Sequence, residues 1–467
     1  MTPTLQRLTA QGCALVQRFK PQSASVRNVL KLAGGTAGSQ VITVAAAPIL
    51  TRLYGPESFG VLATFASILA LLNVVSSLSF ELAIAVPEDE EEAIELVWLC
   101  FALVSIFTAF TALAVMLVPE QLLAWFQHPN PKTLLWLLPF GVFFIGLYNP
   151  LSYLAIRHKQ FTLLAQTKFR QGIAGSIISI FAAPLGVIGL LWGQIASQCL
   201  GLFSILRENK SDFLMDNRIA LLPKTNGKYI DVIKRARNRR FMPRSLGIDL
   251  KSLPDKFHRF KLVSQKYSDF ASFGTFSCFL NACALQLPIL ILGAYYQDTE
   301  LGILAVCQRI VAAPVSLIAS SVSQFLLSDA ASKYRSNMIY AYTLRISIKL
   351  SLIGMLFIVI ILLGSPLLSF ILGAQWSGIV KVTPLLIPMI FGQIVVAPLS
   401  SLMTGAQKNK ESVQGQIFYL MFRVVPLLIA VNCVSFYHAV LIFSVSTCVG
   451  YFLYFLNMMR VFRLPAA

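Results

Sequence analysis

A small set of polar and charged side chains interrupts long apolar runs, and these residues are the chain's candidates for chemistry. Gln308 and Arg309 stand inside one run, ahead of Ser316, Ser320 and Gln324. Asn73, Ser77 and Glu81 recur every four residues in another, which would place them on one face of a continuous helix. Gln40 falls between Thr36 and Thr43, and Asn281 between Ser277 and Gln286. Arg423 lies deep in a further run, three residues before Pro426. A charge at the centre of a bilayer costs at least about 2.5–3.5 kcal/mol, so such groups face protein or a wet cavity. The four stripes would together wall a polar cleft. Of these residues Arg309 is the one suited to an anion, because a planar guanidinium fork donates paired hydrogen bonds to phosphate or carboxylate. Plainer readings stand beside this one. Ser and Thr hydroxyls hydrogen-bond between helices in membranes. Arg309, about 12 Å from its helix end by helix rise, is long enough to snorkel outward. Glu81 either pairs with a basic residue or titrates as a proton-coupling group. Arg423 either senses an anionic headgroup or pins helix packing.

Bond-making chemistry finds little support. His128, His158, His258 and His438 are scattered, and the eight cysteines include no Cys-x-x-Cys pair, so no metal site is expected. No Gly-x-x-x-x-Gly-Lys-Ser/Thr loop occurs, which disfavours an ATP-driven pump. The chain is not read as an enzyme. No cofactor is expected, and a proton or sodium gradient is the candidate driving force.

The elements that must position these residues follow from composition. Of 467 residues, 56% are hydrophobic and 12% charged, and the mean hydropathy is +0.72. Soluble proteins carry about 25% charged residues, so an ordinary soluble enzyme, a disordered chain and a secreted disulfide scaffold are excluded. Apolar runs fall near 30–51, 59–86, 94–118, 134–156, 166–184, 187–206, 270–296, 301–327, 340–364, 382–404, 412–434 and 438–459. Each is long enough to cross a bilayer as a helix. An all-α polytopic membrane protein with about twelve transmembrane helices is expected. Pro184-Leu185-Gly186 is the one break between the fifth and sixth spans. The net charge of +18 reflects clustering. With both termini in the cytoplasm, 31 of the 38 Lys and Arg fall in cytoplasmic segments, and only Arg52, Lys132 and Lys381 fall outside. That asymmetry sets the expected orientation in a bacterial inner membrane. Arg345 and Lys349 snorkel at the start of the ninth helix. The acidic run Glu88–Glu92 precedes the third helix, where the helix dipole favours carboxylates; the sharper reading is a role in handing off an anionic ligand. The polar, basic N-terminal arm has no cleavable signal pattern.

Landmarks recur. Gly35-Thr36, Pro48-Ile49-Leu50 and Gly60 are echoed by Gly274-Thr275, Pro288-Ile289-Leu290 and Gly302, and Pro150-Leu151-Ser152 by Pro398-Leu399-Ser400. The order and similar offsets point to two six-helix lobes related by a parallel repeat, a transporter arrangement with a central site. The expected units are an arm (1–28), an N-lobe (29–206), a basic inter-lobe loop (207–267) and a C-lobe (268–467). The loop carries 16 Lys or Arg against 6 Asp or Glu. It reads as a linker obeying the positive-inside rule, an adhesion to anionic lipid, or a dock for a cytoplasmic enzyme. Nucleic acid is not an expected partner.

The segment Pro48-Ile-Leu-Thr-Arg52-Leu-Tyr-Gly-Pro-Glu57-Ser-Phe-Gly60, the stretch Phe80-Glu81-Leu-Ala-Ile-Ala-Val-Pro87, and Gln308-Arg309 resemble the bacterial polysaccharide (oligosaccharide) flippase family, within the multidrug, oligosaccharidyl-lipid and polysaccharide exporter superfamily. The resemblance spans roughly 28–460. It implies two six-helix lobes around a central, often cationic cavity. It also implies flipping of undecaprenyl-diphosphate-linked sugar units from the cytoplasmic to the periplasmic leaflet, for O-antigen, exopolysaccharide or capsule synthesis. Arg52, Glu81 and Arg309 carry over from the motifs. The long basic loop departs from the family pattern. The rival readings are a lipid II-type flippase, a cation-coupled drug exporter of the same superfamily, and a membrane polysaccharide polymerase. Expected partners are the lipid-linked oligosaccharide, membrane lipids and assembly enzymes.

Overall fold

The computed structural model describes residues 24–117, 134–208, 260, 262–268, 270–336, 338–406 and 408–463. The N-terminal arm up to residue 23 and most of the basic loop lie outside the described residues. The described chain is helical throughout and has no strand. The first half comprises α1 (Ala24–Leu53), α2 (Pro56–Ser76), the short α3 (Phe80–Ala83), α4 (Glu90–Leu117), α5 (Leu137–Arg157), α6 (Phe161–Phe181) and α7 (Val187–Glu208). The second comprises α8 (Thr275–Tyr295), α9 (Asp298–Arg335), α10 (Ile339–Leu372), α11 (Ile379–Leu385), α12 (Ile387–Val396), α13 (Ser400–Gly405), α14 (Asn409–Ala430) and α15 (Phe436–Arg463). Nine of the described helical segments are long and apolar enough to cross a membrane. Helices α1, α6 and α14, of similar length but more polar, complete twelve rods among the described residues.

The breaks have local causes. Gly55 and Pro56 end α1 and open α2, with Pro at the first helical position, where its missing N–H costs nothing. Pro184 sits in the 3-10 turn between α6 and α7, as the sequence suggests. The tenth span is not one helix: α11, α12 and α13 follow one another around Pro384, Pro388 and the Ala397–Leu399 turn. The second span also departs from expectation. Leu78 and Ser79 adopt left-handed backbone (φ 49° and 54°), so α2 stops and α3 starts in a new direction. Asn73 and Glu81 therefore do not share a helix face. Periodicity alone could not reveal this, since neither residue is a glycine or a proline.

The packing has a clear polarity. At the end carrying the α1–α2 and α8–α9 turns, one apolar core runs through both halves, from Leu50, Phe59 and Leu62 to Leu301, Trp376 and Phe436. At the opposite end, called here the termini end, the two halves have separate cores. One gathers Phe80, Leu96, Leu151 and Ile205. The other gathers Leu326, Leu350, Leu402 and Met458. The lobes are joined at the turn end and distinct at the termini end.

The last stretch of the basic loop is described. Val263 and Tyr267 are buried in the N-lobe's termini-end core, and a single π-helical segment, Phe270–Gly274, leads from there into α8. Lys266 reaches Glu92 at 2.5 Å. That hydrogen bond holds the Lys266 ammonium above its ordinary lysine value.

Candidate functional site: a cleft at the lobe junction

The turn-end core leaves a cleft between α1 and α9. Thr43, Ala47 and Thr51 line it from α1, Phe59 from α2, and Val306, Arg309 and Ile310 from α9. The α1 positions follow the i, i+4, i+8 rhythm that sets side chains on one helical face. Gln40, half-buried, continues that face one turn towards the termini end. Arg309 lies eleven residues into α9, about 16 Å along its axis. The residue is exposed and borders the cleft. It has no hydrogen-bond or ion-pair partner among the described residues. The arrangement is a cation with no partner among the described residues, well inside an apolar helix and beside a small, mainly apolar cleft between lobes. A guanidinium in this place is chemically suited to an anion.

The other predicted residues are dispersed. Gln308 is half-buried next to Arg309 but does not line the cleft. Arg52 is exposed at the last turn of α1, outside the cleft. The motif around it instead builds the corner between lobes. Thr51 is fully buried, and Tyr54 donates from its hydroxyl to the Ser179 carbonyl at 2.6 Å. Asn73 accepts from Asn149 Nδ2 at 3.4 Å, tying α2 to α5 within the N-lobe. Glu81 is buried at the termini end and accepts a hydrogen bond from Ser77; no basic residue pairs with it among the described residues. Asn281 is exposed on α8. Arg423 is buried between α14 and α15, donates from Nη1 to the Tyr419 hydroxyl, and lies 5.2 Å from the Phe443 ring centroid and 5.7 Å from that of Tyr419. The hydroxyls of Thr43, Ser316 and Ser320 bond back to carbonyls of their own helices rather than across to neighbours.

Two cations within the 166–184 run, counted above among the cytoplasmic Lys and Arg, lie inside a helix. Because α6 begins at Phe161, Lys168 and Arg170 lie inside it. Lys168 sits 4.8 Å from the Tyr148 ring centroid, and Arg170 donates to Ser204 Oγ at 2.7 Å. The Leu163-Leu164 pair ahead of them was the available signal.

The acidic run is tied down. Arg157 Nε meets Glu90 Oε2 at 3.0 Å, and its other nitrogens donate to the carbonyls of Ile84, Pro87, Glu88 and Asp89. His158 Nε2 lies 2.6 Å from Glu90 Oε1.

A two-lobed, all-helical bundle with nine membrane-length apolar segments among the described residues defines a polytopic membrane protein. Solved structures agree on the fold. The chain is similar to a multidrug resistance MATE family transporter of the MOP superfamily in its inward-facing conformation (TM-score 0.60, 14% identity, covering 94% of this chain and 96% of that one). It is similar to the lipid II flippase MurJ in an inward closed conformation (TM-score 0.61, 12% identity, 93% and 87% covered). It is also similar to a MOP superfamily transporter from Pyrococcus furiosus described by a binding pocket of reverse polarity (TM-score 0.56, 15% identity, 94% and 96% covered). No curated protein matches the sequence significantly. Residues 49–211 and 257–381 match the family of polysaccharide biosynthesis proteins, and the chain belongs to that family.

Proposed function

We propose that this protein is a flippase. It moves polyprenyl-diphosphate-linked oligosaccharide units from the cytoplasmic to the periplasmic leaflet of a bacterial inner membrane, by alternating access of its two lobes. The observation that carries the reading is Arg309, a cation at the lobe junction without a counter-charge among the described residues. The cargo has a diphosphate, a polar sugar head and a long apolar tail. The head cannot cross hydrocarbon unaided. The diphosphate suits Arg309, while the tail stays in lipid beside the gap. No covalent step is required. With the termini on the cytoplasmic side, as the distribution of Lys and Arg favours, the described conformation is closed towards the periplasm. A proton or sodium gradient is the proposed driving force. The surface glycan made is O-antigen, exopolysaccharide or capsule.

Deleting the gene in a strain with no redundant exporter tests the proposal. Lipid-linked repeat units are expected to accumulate on the cytoplasmic face while surface glycan is lost. Unchanged surface glycan in that strain refutes it.

A further inference from the structure

The turn end holds an arrangement that the cargo cleft does not require. Thr51, fully buried at the last turn of α1, is gripped by the other lobe. Its carbonyl accepts from Gln375 Nε2 at 2.6 Å and from Trp376 Nε1 at 2.9 Å, and its hydroxyl donates to the Leu372 carbonyl at 3.2 Å. Trp376 has no exposed surface and packs edge-on against Phe59 of α2, with ring centroids 5.3 Å apart. The three cross-lobe partners of Thr51 lie at the end of α10 and in the turn that follows it, where Gly373 (φ 111°) takes a backbone conformation that other residues rarely adopt, while the Thr51 hydroxyl also reaches the Pro48 carbonyl of its own helix at 3.3 Å.

A second contact lies beside it. A Cβ on Gly60 would sit 2.0 Å from the Asp298 carbonyl oxygen, and one on Gly302 would sit 1.8 Å from that of Pro56. Each glycine faces the residue four positions ahead of the other, so the crossing of α2 and α9 is reciprocal. The pair occupies matched places in the two repeats. No larger residue fits while the helices touch this closely.

We infer that the Ala374–Trp376 turn and the Gly60–Gly302 crossing form the gate that closes the turn end and must release for cargo to leave there. This rests on the flippase reading for its purpose, but not for its geometry. The chemistry suits a reversible closure. The Thr51 carbonyl is among the last four of its helix, which have no intrahelical donor. Its donors come from across the lobe boundary, so water can replace them once the gap opens and nothing stays buried unpaired. Glycine at the crossing lets the backbones approach and part with no side chain to repack.

The test uses single cysteines in a variant with the eight native cysteines replaced. Thr43→Cys, in the cleft beneath the gate, is labelled with a membrane-impermeant maleimide applied from the turn-end face. Adding Gln375→Ala and Trp376→Phe removes both donors to Thr51 while keeping an aromatic ring against Phe59. Labelling is expected to accelerate about tenfold, the order set by losing two ordinary hydrogen bonds from one state of a two-state equilibrium. Gly302→Ala is expected to act in the same direction, and Gln375→Ala, at an exposed position, guards against misfolding as the cause. An unchanged labelling rate in all of these variants at normal protein level overturns the gate. Labelling reports the gate whatever the cargo is, so an accelerated rate in a protein whose deletion leaves surface glycan intact supports the gate and overturns only the flippase assignment.

Discussion

Arg309 and Arg423 are both arginines deep in apolar helices, and their surroundings give them different work. Arg309 has no partner among the described residues and borders the cleft between lobes. Arg423 is wrapped by Tyr419 and Phe443, with its Nε unsatisfied. A charge-assisted hydrogen bond contributes about 1.5–3 kcal/mol, so Arg309→Ala is expected to lower export per molecule roughly ten- to hundredfold. Its melting temperature in detergent should hold or rise, because an unpaired charge has gone. Glycan flux normalised to protein level separates the two effects. Cation–π contacts contribute up to about 2 kcal/mol when desolvated, so Arg423→Ala should chiefly lower stability and protein level. Export per folded molecule at the parental rate is the expected outcome, and a hundredfold drop would move Arg423 into the cargo path. Arg309 was legible in the sequence because a charge deep in an apolar run has few physical explanations. The Asn73–Glu81 stripe was not, because the left-handed turn at Leu78 and Ser79 carries no compositional mark.

At the scale of elements, the sequence conveyed where helices lie better than how they are tied. Each of the twelve apolar runs is helical among the described residues because a bilayer-length apolar run must pair its own backbone, although the second and tenth runs are each broken into shorter helices. The role of Glu88–Glu92 was not legible, since its partners Arg157, His158 and Lys266 lie far away in the chain. One guanidinium organises the whole α3–α4 connection, bonding four carbonyls and a carboxylate. Only a planar fork with several donors can do this, so lysine is a poor substitute. Arg157→Lys is expected to expose the connection to a glutamate-specific protease, with cleavage near Glu88–Glu92 that the parent resists. Equal resistance of the two proteins would show that the bracket is dispensable. Lys266 on Glu92 is exposed and screened by salt, so it contributes little to that difference.

At the scale of the whole molecule, the division of the core is what the sequence could not convey. The repeat implied two lobes, but a repeat looks the same in every state of a transporter. Only the contacts distinguish them: one core at the turn end, two at the termini end. Apolar surface buried between lobes contributes about 25 cal/mol per Å², so merging the cores at one end favours closure there. This makes a paired accessibility prediction. Gln297, exposed in the turn between α8 and α9, marks the turn-end face, and a cysteine there should react with an impermeant maleimide in spheroplasts. A cysteine at Gln40, on the cleft face of α1, should react in inverted vesicles and be protected in spheroplasts. Reaction of Gln297→Cys in inverted vesicles alone would reverse the orientation. Reaction of Gln40→Cys from the turn-end side at the rate of Gln297→Cys would mean the resting protein is open where its lobes share a core. The expected pattern, with Gln297 reachable outside and Gln40 inside, is what a carrier needs if it waits for cargo on the face where that cargo is made.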